Sequence, residues 1–186
     1  MEIERKYLID EKNLPADLES CRSVLIEQGY LCRKPVVRIR RQDDDYILTY
    51  KSGGLMAREE YNLPLGAEGY AHLKEKIDGK LISKRRYLIP MENGLTIELD
   101  VFYEPCKGLL LAEVEFPDEA SANSFCPPAW FGEDVTFDGR YHNSYLSRRI
   151  CLLSCFLQNI FCRVFRRCDA NIPFCQIPPF SAASSP

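Results

Sequence analysis

Charged residues recur at alternate positions in several short segments of this 186-residue sequence. In the first segment, Glu2, Glu4 and Lys6 share one face of an extended chain, while Ile3 and Tyr7 share the other. The same alternation returns in later segments, where carboxylates form Glu-x-Glu and Glu-x-Asp pairs and arginines form an Arg-x-Arg pair. The residues of this pattern are Glu2, Glu4, Glu60, Glu98, Asp100, Glu113 and Glu115 with Lys6, Arg38, Arg40, Lys51, Arg58, Lys84 and Arg86.

A mixed set of charges could simply be the solvated face of a sheet. The paired spacing of like charges argues against that reading, and the alternating apolar residues already supply a core. Arginine forks and lysine ammonium groups bind phosphate oxygens, whereas carboxylates do so only through a hard cation such as Mg²⁺ or Mn²⁺. The pattern therefore favours a site where a polyanion and a divalent cation bind together.

The elements that must position these residues are strands. Alternation predicts eight of them, at 1–9, 22–32, 36–42, 46–51, 57–63, 81–89, 95–103 and 109–116. Helical patterns occur at 67–77, at 118–125 and at the end of 129–149. Short connections such as Asn93-Gly94 are typical of antiparallel hairpins. We therefore expect a β-dominated α+β protein, an eight-stranded antiparallel closed β-barrel whose charged side lines a tunnel and whose apolar side packs on a few flanking helices.

The motifs resemble those of the CYTH superfamily, the triphosphate tunnel metalloenzymes. Residues 2–6 match the Glu-x-Glu-x-Lys signature of that family. Further matches, in the family's order and spacing, are Arg38-x-Arg40, Lys51, Arg58-x-Glu60, Lys84-x-Arg86, Glu98-x-Asp100, Glu113-x-Glu115 and the segment from Val135 to Leu146. The resemblance covers residues 1–149, which we expect to form one triphosphate tunnel domain.

The resemblance implies a metal-dependent enzyme that hydrolyses the terminal phosphoanhydride of a triphosphate, with inorganic triphosphate as the first candidate. A class IV-type adenylate cyclase, a thiamine triphosphatase and a non-catalytic polyphosphate or nucleotide-binding module remain alternatives. The implied cofactor is Mg²⁺ or Mn²⁺. The candidate metal ligands are Glu2, Glu4, Asp100, Glu113, Glu115 and Glu98.

Substrate and catalytic roles follow from the same resemblance. The basic set would hold the phosphates, Lys6 and Arg86 would stabilise charge on the transferring group, and Glu60 is the candidate tunnel carboxylate for proton transfer. Arg140 would add a cation from the C-terminal helix. The candidate substrate-binding residues are Lys6, Arg38, Arg40, Lys51, Arg58, Lys84 and Arg86, and the candidate catalytic residues are Lys6, Arg86, Glu60 and Arg140.

Composition changes abruptly at residue 150. Residues 150–186 hold five of the nine cysteines and begin with an apolar run of about 16 residues. The run is short for a membrane span and is interrupted by Gln158 and Asn159. An interfacial or partner-binding helix and a non-native or disordered appendage are the other interpretations.

Charge and composition restrict the partners. A net charge of −3 gives no electrostatic footprint for nucleic acid. Acidic residues near Met1 are atypical of a signal peptide, so we expect a cytoplasmic protein. We expect no membrane partner for residues 1–149, and the tail at 150–186 leaves that question open. Cysteines without a Cys-x-x-Cys spacing suggest neither a zinc site nor a disulfide framework. A small-molecule triphosphate is the expected partner, and a homodimer is compatible with the sequence.

Overall fold

The computed structural model describes residues 3–52 and 60–148, and strands dominate this part of the chain. The strands are β1 (Ile3–Ile9), β2 (Arg22–Arg33), β3 (Val36–Gln42), β4 (Asp45–Lys51), β5 (Glu60–Pro64), β6 (Ile82–Pro90), β7 (Thr96–Phe102), β8 (Leu110–Phe116) and β9 (Phe131–Asp134). The α-helices are α1 (Ala67–Lys74), α2 (Glu119–Ser124) and α3 (Asn143–Leu146), with single 3₁₀ turns at Glu11–Asn13, Leu18–Ser20 and Gly139–Tyr141.

All described strands belong to one antiparallel sheet, in the order β5-β4-β3-β2-β6-β7-β8-β1-β9. The predicted β-dominated antiparallel architecture with few helices is therefore confirmed. The ninth strand, Phe131–Asp134, was not predicted, because four residues are too few to show alternation and its pairing with β1 is long-range. The described pairings leave β5 and β9 as the two edges, so they do not show the closed barrel.

The register of the sheet aligns the charged residues of neighbouring strands. Arg86 lies opposite Asp100, Glu98 opposite Glu113, and Glu113 opposite Lys6. Because directly opposed residues of an antiparallel pair share a face, these side chains all project from the same side of the sheet. We call this side the charged face; its described polar members are Glu4, Lys6, Gln28, Arg38, Arg40, Thr49, Lys51, Glu60, Asn62, Lys84, Arg86, Glu98, Asp100, Glu113 and Glu115.

The opposite face carries the larger apolar cluster. Tyr7, Leu99, Ala112 and Val114 alternate with the charged residues and are almost completely buried. The cluster also takes in Ala122 of α2 and aromatic residues near it. As expected from the sequence, the apolar side of the sheet therefore packs against a flanking helix.

Arg5 departs from the alternation of β1, since it stands on the apolar face. Its Nη1 donates to the backbone carbonyls of Ala122 (3.1 Å) and Phe125 (3.3 Å), and its Nη2 bonds the Asp134 carboxylate. The guanidinium thus joins β1 to the end of α2 and to β9. These contacts explain why a charged residue stands on the apolar face, and they do not involve the charged face.

A second apolar cluster covers one end of the charged face. Ile82, Phe102 and Leu111 are each two residues from a charged position of β6, β7 or β8 along the strand. They pack with Tyr141 and Leu146 from the C-terminal segment. The helix expected at the end of 129–149 is reduced to a 3₁₀ turn and the four-residue α3. This segment shields one end of the charged face from solvent.

Gly29 lies in β2, where a register shift follows between Tyr30 and Cys32. A Cβ atom on Gly29 would lie 2.6 Å from Ile77 Cγ2. Close packing against the segment after α1 therefore explains the glycine.

Some expectations concern residues that the structure does not describe. The boundary at 149/150 and the interpretations of residues 150–186 fall outside the described residues and stay predictions. Within the two described ranges, no helix is both long enough and apolar enough to cross a membrane.

Candidate active site

Asp100 forms the buried centre of the charged face. Its carboxylate accepts two bonds from the Arg86 fork, from Nε and from Nη2, each at 2.7 Å, and a third from the ammonium group of Lys84. Asp100 and Lys84 are both 0% exposed. Burial lowers the pKa of Lys84, and the neighbouring Asp100 carboxylate opposes that shift. These charges can be buried together because each supplies the partner that the others need.

Glu113 links three strands of the site. Lys6 Nζ donates to its Oε1 at 2.6 Å, and Arg86 Nη2 donates to its Oε2, also at 2.6 Å. Lys6 Nζ lies 2.8 Å from Glu4 Oε1 as well, and Arg86 also bonds Glu98. Carboxylates and cations from β1, β6, β7 and β8 therefore form one connected network.

The network fixes the ionisation of its members. Burial alone would raise the pKa of Glu113, but the three neighbouring cations Lys84, Lys6 and Arg86 hold it well below its usual range. Burial alone would lower the pKa of Lys6, but Glu113 and Glu4 raise it above its usual value. Glu113 and Lys6 are thus charged near neutral pH.

The basic half of the charged face, comprising Arg38, Arg40 and Lys51, has a different balance. Burial and the positive charges of Arg38 and Arg86 lower the pKa of Arg40 to about 10. The Nε atoms of Arg38 and Arg40 are buried and find no hydrogen-bond acceptor within residues 3–52 and 60–148. Two guanidinium groups of this part of the site therefore keep Nε donors that have no acceptor in the described part of the chain.

Neutral side chains connect the basic half to the sheet edge. Arg38 Nη2 donates to Thr49 Oγ1 (3.3 Å), which donates to Asn62 Oδ1 (2.7 Å). Asn62 Nδ2 in turn donates to Glu60 (3.1 Å), whose other oxygen lies 2.8 Å from Lys51 Nζ. Burial alone would raise the pKa of Glu60, but the bonds from Lys51 and Asn62 lower it. Glu60 is therefore ionised near neutral pH and close to the basic half.

The remaining predicted site residues do not take part in this buried network or lie outside the described ranges. Glu115 stands opposite Glu4 but is exposed. Arg140 lies in a 3₁₀ turn, its side chain is 59% exposed, and its Nε lies 2.9 Å from Asp138. Glu2 and Arg58 fall outside the described residues.

Three polar residues of this region were not among the predicted site residues. Gln28, Thr49 and Asn62 lie beside the arginines, and the first two are almost completely buried. The alternation places Gln28 and Thr49 on the charged side, which is the signal that could have identified them. Uncharged side chains gave no chemical reason to single them out.

The carboxylates have the chemistry that a divalent cation requires. Glu4, Glu98 and Glu113 lie on adjacent strands, and carboxylate oxygens are preferred ligands of Mg²⁺ and Mn²⁺. In the described part of the chain, however, no group of three or more His, Cys, Asp or Glu is arranged to hold a metal ion. Lys6 and Arg86 bond these carboxylates instead. The carboxylates are therefore of the type that binds a divalent metal ion. In this structure they are paired with Lys6 and Arg86.

Fold and site define a class of antiparallel β-sheet protein with a buried, charge-paired face. An inorganic triphosphatase from Nitrosomonas europaea is 38% identical over 152 residues, which are 80% of this chain and 98% of that protein. One from Acetivibrio thermocellus is 37% identical over 150 residues, 78% of this chain and 92% of the relative. No protein-family model matches the chain.

A solved structure agrees with the sequence relatives. The crystal structure of an inorganic triphosphatase matches with a TM-score of 0.65 and 36% identity, over 81% of this chain and 96% of that one. The chain belongs to the inorganic triphosphatases of the CYTH superfamily.

Proposed function

We propose that the protein hydrolyses the terminal phosphoanhydride of inorganic triphosphate to diphosphate and phosphate, with a divalent cation. The observation that carries this proposal is the division of the charged face. One part is a neutralised network of carboxylates and cations, and the adjoining part is the basic half with its unpaired guanidinium atoms. The relatives named inorganic triphosphatase, which cover most of the chain, support the same activity.

The basic half binds the phosphate chain. A triphosphate carries about four to five negative charges near neutral pH, and burying it requires compensating cations. Arg38 and Arg40 offer buried N–H donors, and Lys51 adds an ammonium group nearby. A guanidinium fork suits two oxygens of one phosphate. Arg58, two residues before Glu60, is proposed for the same set from its place in the sequence.

The carboxylates would hold the divalent cation, Mg²⁺ or Mn²⁺. The proposed ligands are Glu2, Glu4, Glu98, Asp100, Glu113 and Glu115. The cation would supply charge neutralisation and water activation at the terminal phosphate. Lys6 and Arg86 pair with Glu4, Glu98 and Glu113, so these carboxylates would exchange a cation of the chain for the divalent cation. Lys6 and Arg86 would then be available to the phosphates.

The chain's own residues then act on the transferring group. Lys6 and Arg86 stabilise the negative charge that spreads over the phosphoryl oxygens. Glu60, ionised and adjacent to the basic half, is the proposed proton acceptor. Lys84 is completely buried against Asp100, and it keeps that carboxylate and the Arg86 fork in position. Arg140 contributes only if it leaves Asp138.

We also propose that the strands curl into a tunnel around the charged face. Polar residues from β2, β4, β6 and β7 are almost fully buried on that face, namely Gln28, Thr49, Lys84 and Asp100. The C-terminal segment covers one end of it, so curling of the sheet is the simplest way to shield the rest. Such a tunnel would exclude water from the reacting phosphates.

The test is phosphate release by the full chain from inorganic triphosphate, ATP and thiamine triphosphate, each with Mg²⁺, Mn²⁺ or a chelator. We expect release to require metal and to be fastest with inorganic triphosphate. Glu4→Ala and Arg38→Ala should each lower turnover severely, whereas Arg41→Ala, on the opposite face, should not. Thermal stabilisation by triphosphate without release from any substrate would instead indicate a non-catalytic binding protein.

A further inference from the structure

Gln28 is the most deeply buried uncharged polar side chain of the charged face. It is 0% exposed, near the middle of β2, with Arg40 opposite on β3 and Ile82 opposite on β6. Its Oε1 accepts a long bond, 3.4 Å, from Arg40 Nη2. The amide Nε2 is buried and has no hydrogen-bond partner among the described residues. A buried donor left unpaired is costly, so this amide requires an explanation.

The charged residues next to Gln28 in the strand register are cations. Arg38 lies opposite Tyr30, the next residue of β2 on this face, and Lys84 lies opposite Ile26, the preceding one. The Nε atoms of Arg38 and Arg40 are likewise buried without a partner in the described ranges. Three unpaired donors therefore come from two neighbouring strands. A group that satisfies them together must be rich in acceptor oxygens and negatively charged.

We propose that Gln28 Nε2 donates a hydrogen bond to a phosphate oxygen of bound triphosphate, which makes Gln28 a substrate-binding residue beside Arg38 and Arg40. This inference rests on the proposed function, since it names one more contact of the same substrate. The bond to Arg40 orients the amide, so that Oε1 faces the guanidinium and Nε2 remains for the ligand.

Two substitutions distinguish direct binding of triphosphate by Gln28 from an indirect role in which Gln28 only positions Arg40. Gln28→Glu keeps an acceptor for Arg40 but loses the donor and adds a negative charge beside the phosphates. Gln28→Met removes both functions at similar volume. Direct binding predicts that triphosphate affinity falls about tenfold or more in Gln28→Met and further in Gln28→Glu. The Glu variant should nevertheless be at least as heat-stable as wild type without ligand, because its carboxylate pairs with Arg40.

The experiment measures the dissociation constant of inorganic triphosphate by calorimetry and by thermal shift, together with KM and kcat for phosphate release. We expect the loss mainly in affinity and KM. Glu27→Gln, the neighbouring residue on the other face, is the matched control and should bind as wild type does. Wild-type affinity in Gln28→Glu would overturn the proposal, because support of Arg40 would then suffice. If wild type binds triphosphate without releasing phosphate, the proposed function fails, while the affinities still test Gln28.

Discussion

Arg86 Nη2 lies 2.6 Å from Glu113 Oε2, although β7 separates the two strands that carry them. The same guanidinium forms a fork on Asp100, which projects from the intervening strand. One side chain therefore ties together the charges of β6, β7 and β8. Its removal would leave two buried or nearly buried carboxylates with fewer partners.

Arg86→Ala should abolish phosphate release and lower the free energy of unfolding by about 3 kcal/mol or more, since breaking a buried charge network leaves uncompensated charge. Urea denaturation and a phosphate assay measure the two effects. Arg85→Ala is the matched control, because Arg85 stands on the opposite face and bonds Ser23 and Tyr103. Its stability should change by no more than about 0.5 kcal/mol. Full activity in Arg86→Ala would refute the proposed role.

Asp100 and Lys84 should respond unequally to substitution. Asp100→Asn leaves Lys84 buried without its carboxylate, whereas Lys84→Met leaves Asp100 bonded to Arg86. We expect Asp100→Asn to lower the free energy of unfolding by about 3–5 kcal/mol and Lys84→Met to lower it clearly less. Denaturant midpoints of both variants and of the double mutant give the comparison. Equal losses would mean that Arg86 does not compensate Asp100.

Arg40 should reduce stability in the free protein and increase it in the complex. Arg40→Gln removes a buried cation beside Arg38 and Arg86, so the free variant should be as stable as wild type or more stable. Saturating triphosphate, at about 100 times Kd, should stabilise wild type by about 2.7 kcal/mol and the variant much less. Thermal denaturation with and without triphosphate measures both effects. Arg41→Gln should retain the stabilisation by ligand, and a strong loss of free-state stability in Arg40→Gln would contradict the assignment.

Asp134, which lies outside the charged face, should make the stability of the fold depend on pH. Burial alone would raise its pKa, but bonds from Arg5 and Thr136 lower it below the usual 3.8. The carboxylate therefore stabilises the fold above that value, and the contribution disappears as pH falls through the folded-state pKa. Asp134→Asn should cost no more than about 1 kcal/mol at pH 7, given the partial exposure of the pair, and less near pH 3. Urea midpoints at both values test this, and a pH-independent difference would exclude the ion pair as its cause.

Gly29→Ala should destabilise by overpacking. The added Cβ would lie 2.6 Å from Ile77 Cγ2, and such a contact typically costs about 1–3 kcal/mol. Ile77→Ala removes the obstructing methyl groups, so the double variant should lose less stability than the two single losses added together. Denaturant unfolding of the three variants completes the cycle. Simple additivity would show that the backbone shifts to relieve the contact.

The sequence by itself determined the faces of the strands. Side chains alternate with a period of two, so Glu98 and Asp100, or Arg38 and Arg40, had to share a face wherever their strands lay. Alternation also identified most strands, and the order of the motifs indicated the family. Residues such as Gln28 were overlooked because burial, rather than side-chain chemistry, is what distinguishes them.

The tertiary structure alone decided which charges meet. No local pattern sets Arg86 beside Glu113, pairs Lys6 with a residue more than one hundred positions away, or recruits Arg5 to α2 and β9. These contacts depend on strand order and register, which arise from pairings between distant segments. The same long-range packing buries the donors of Gln28, Arg38 and Arg40 without an acceptor in the described part of the chain. Their burial depends on neighbouring strands that pack together and exclude water.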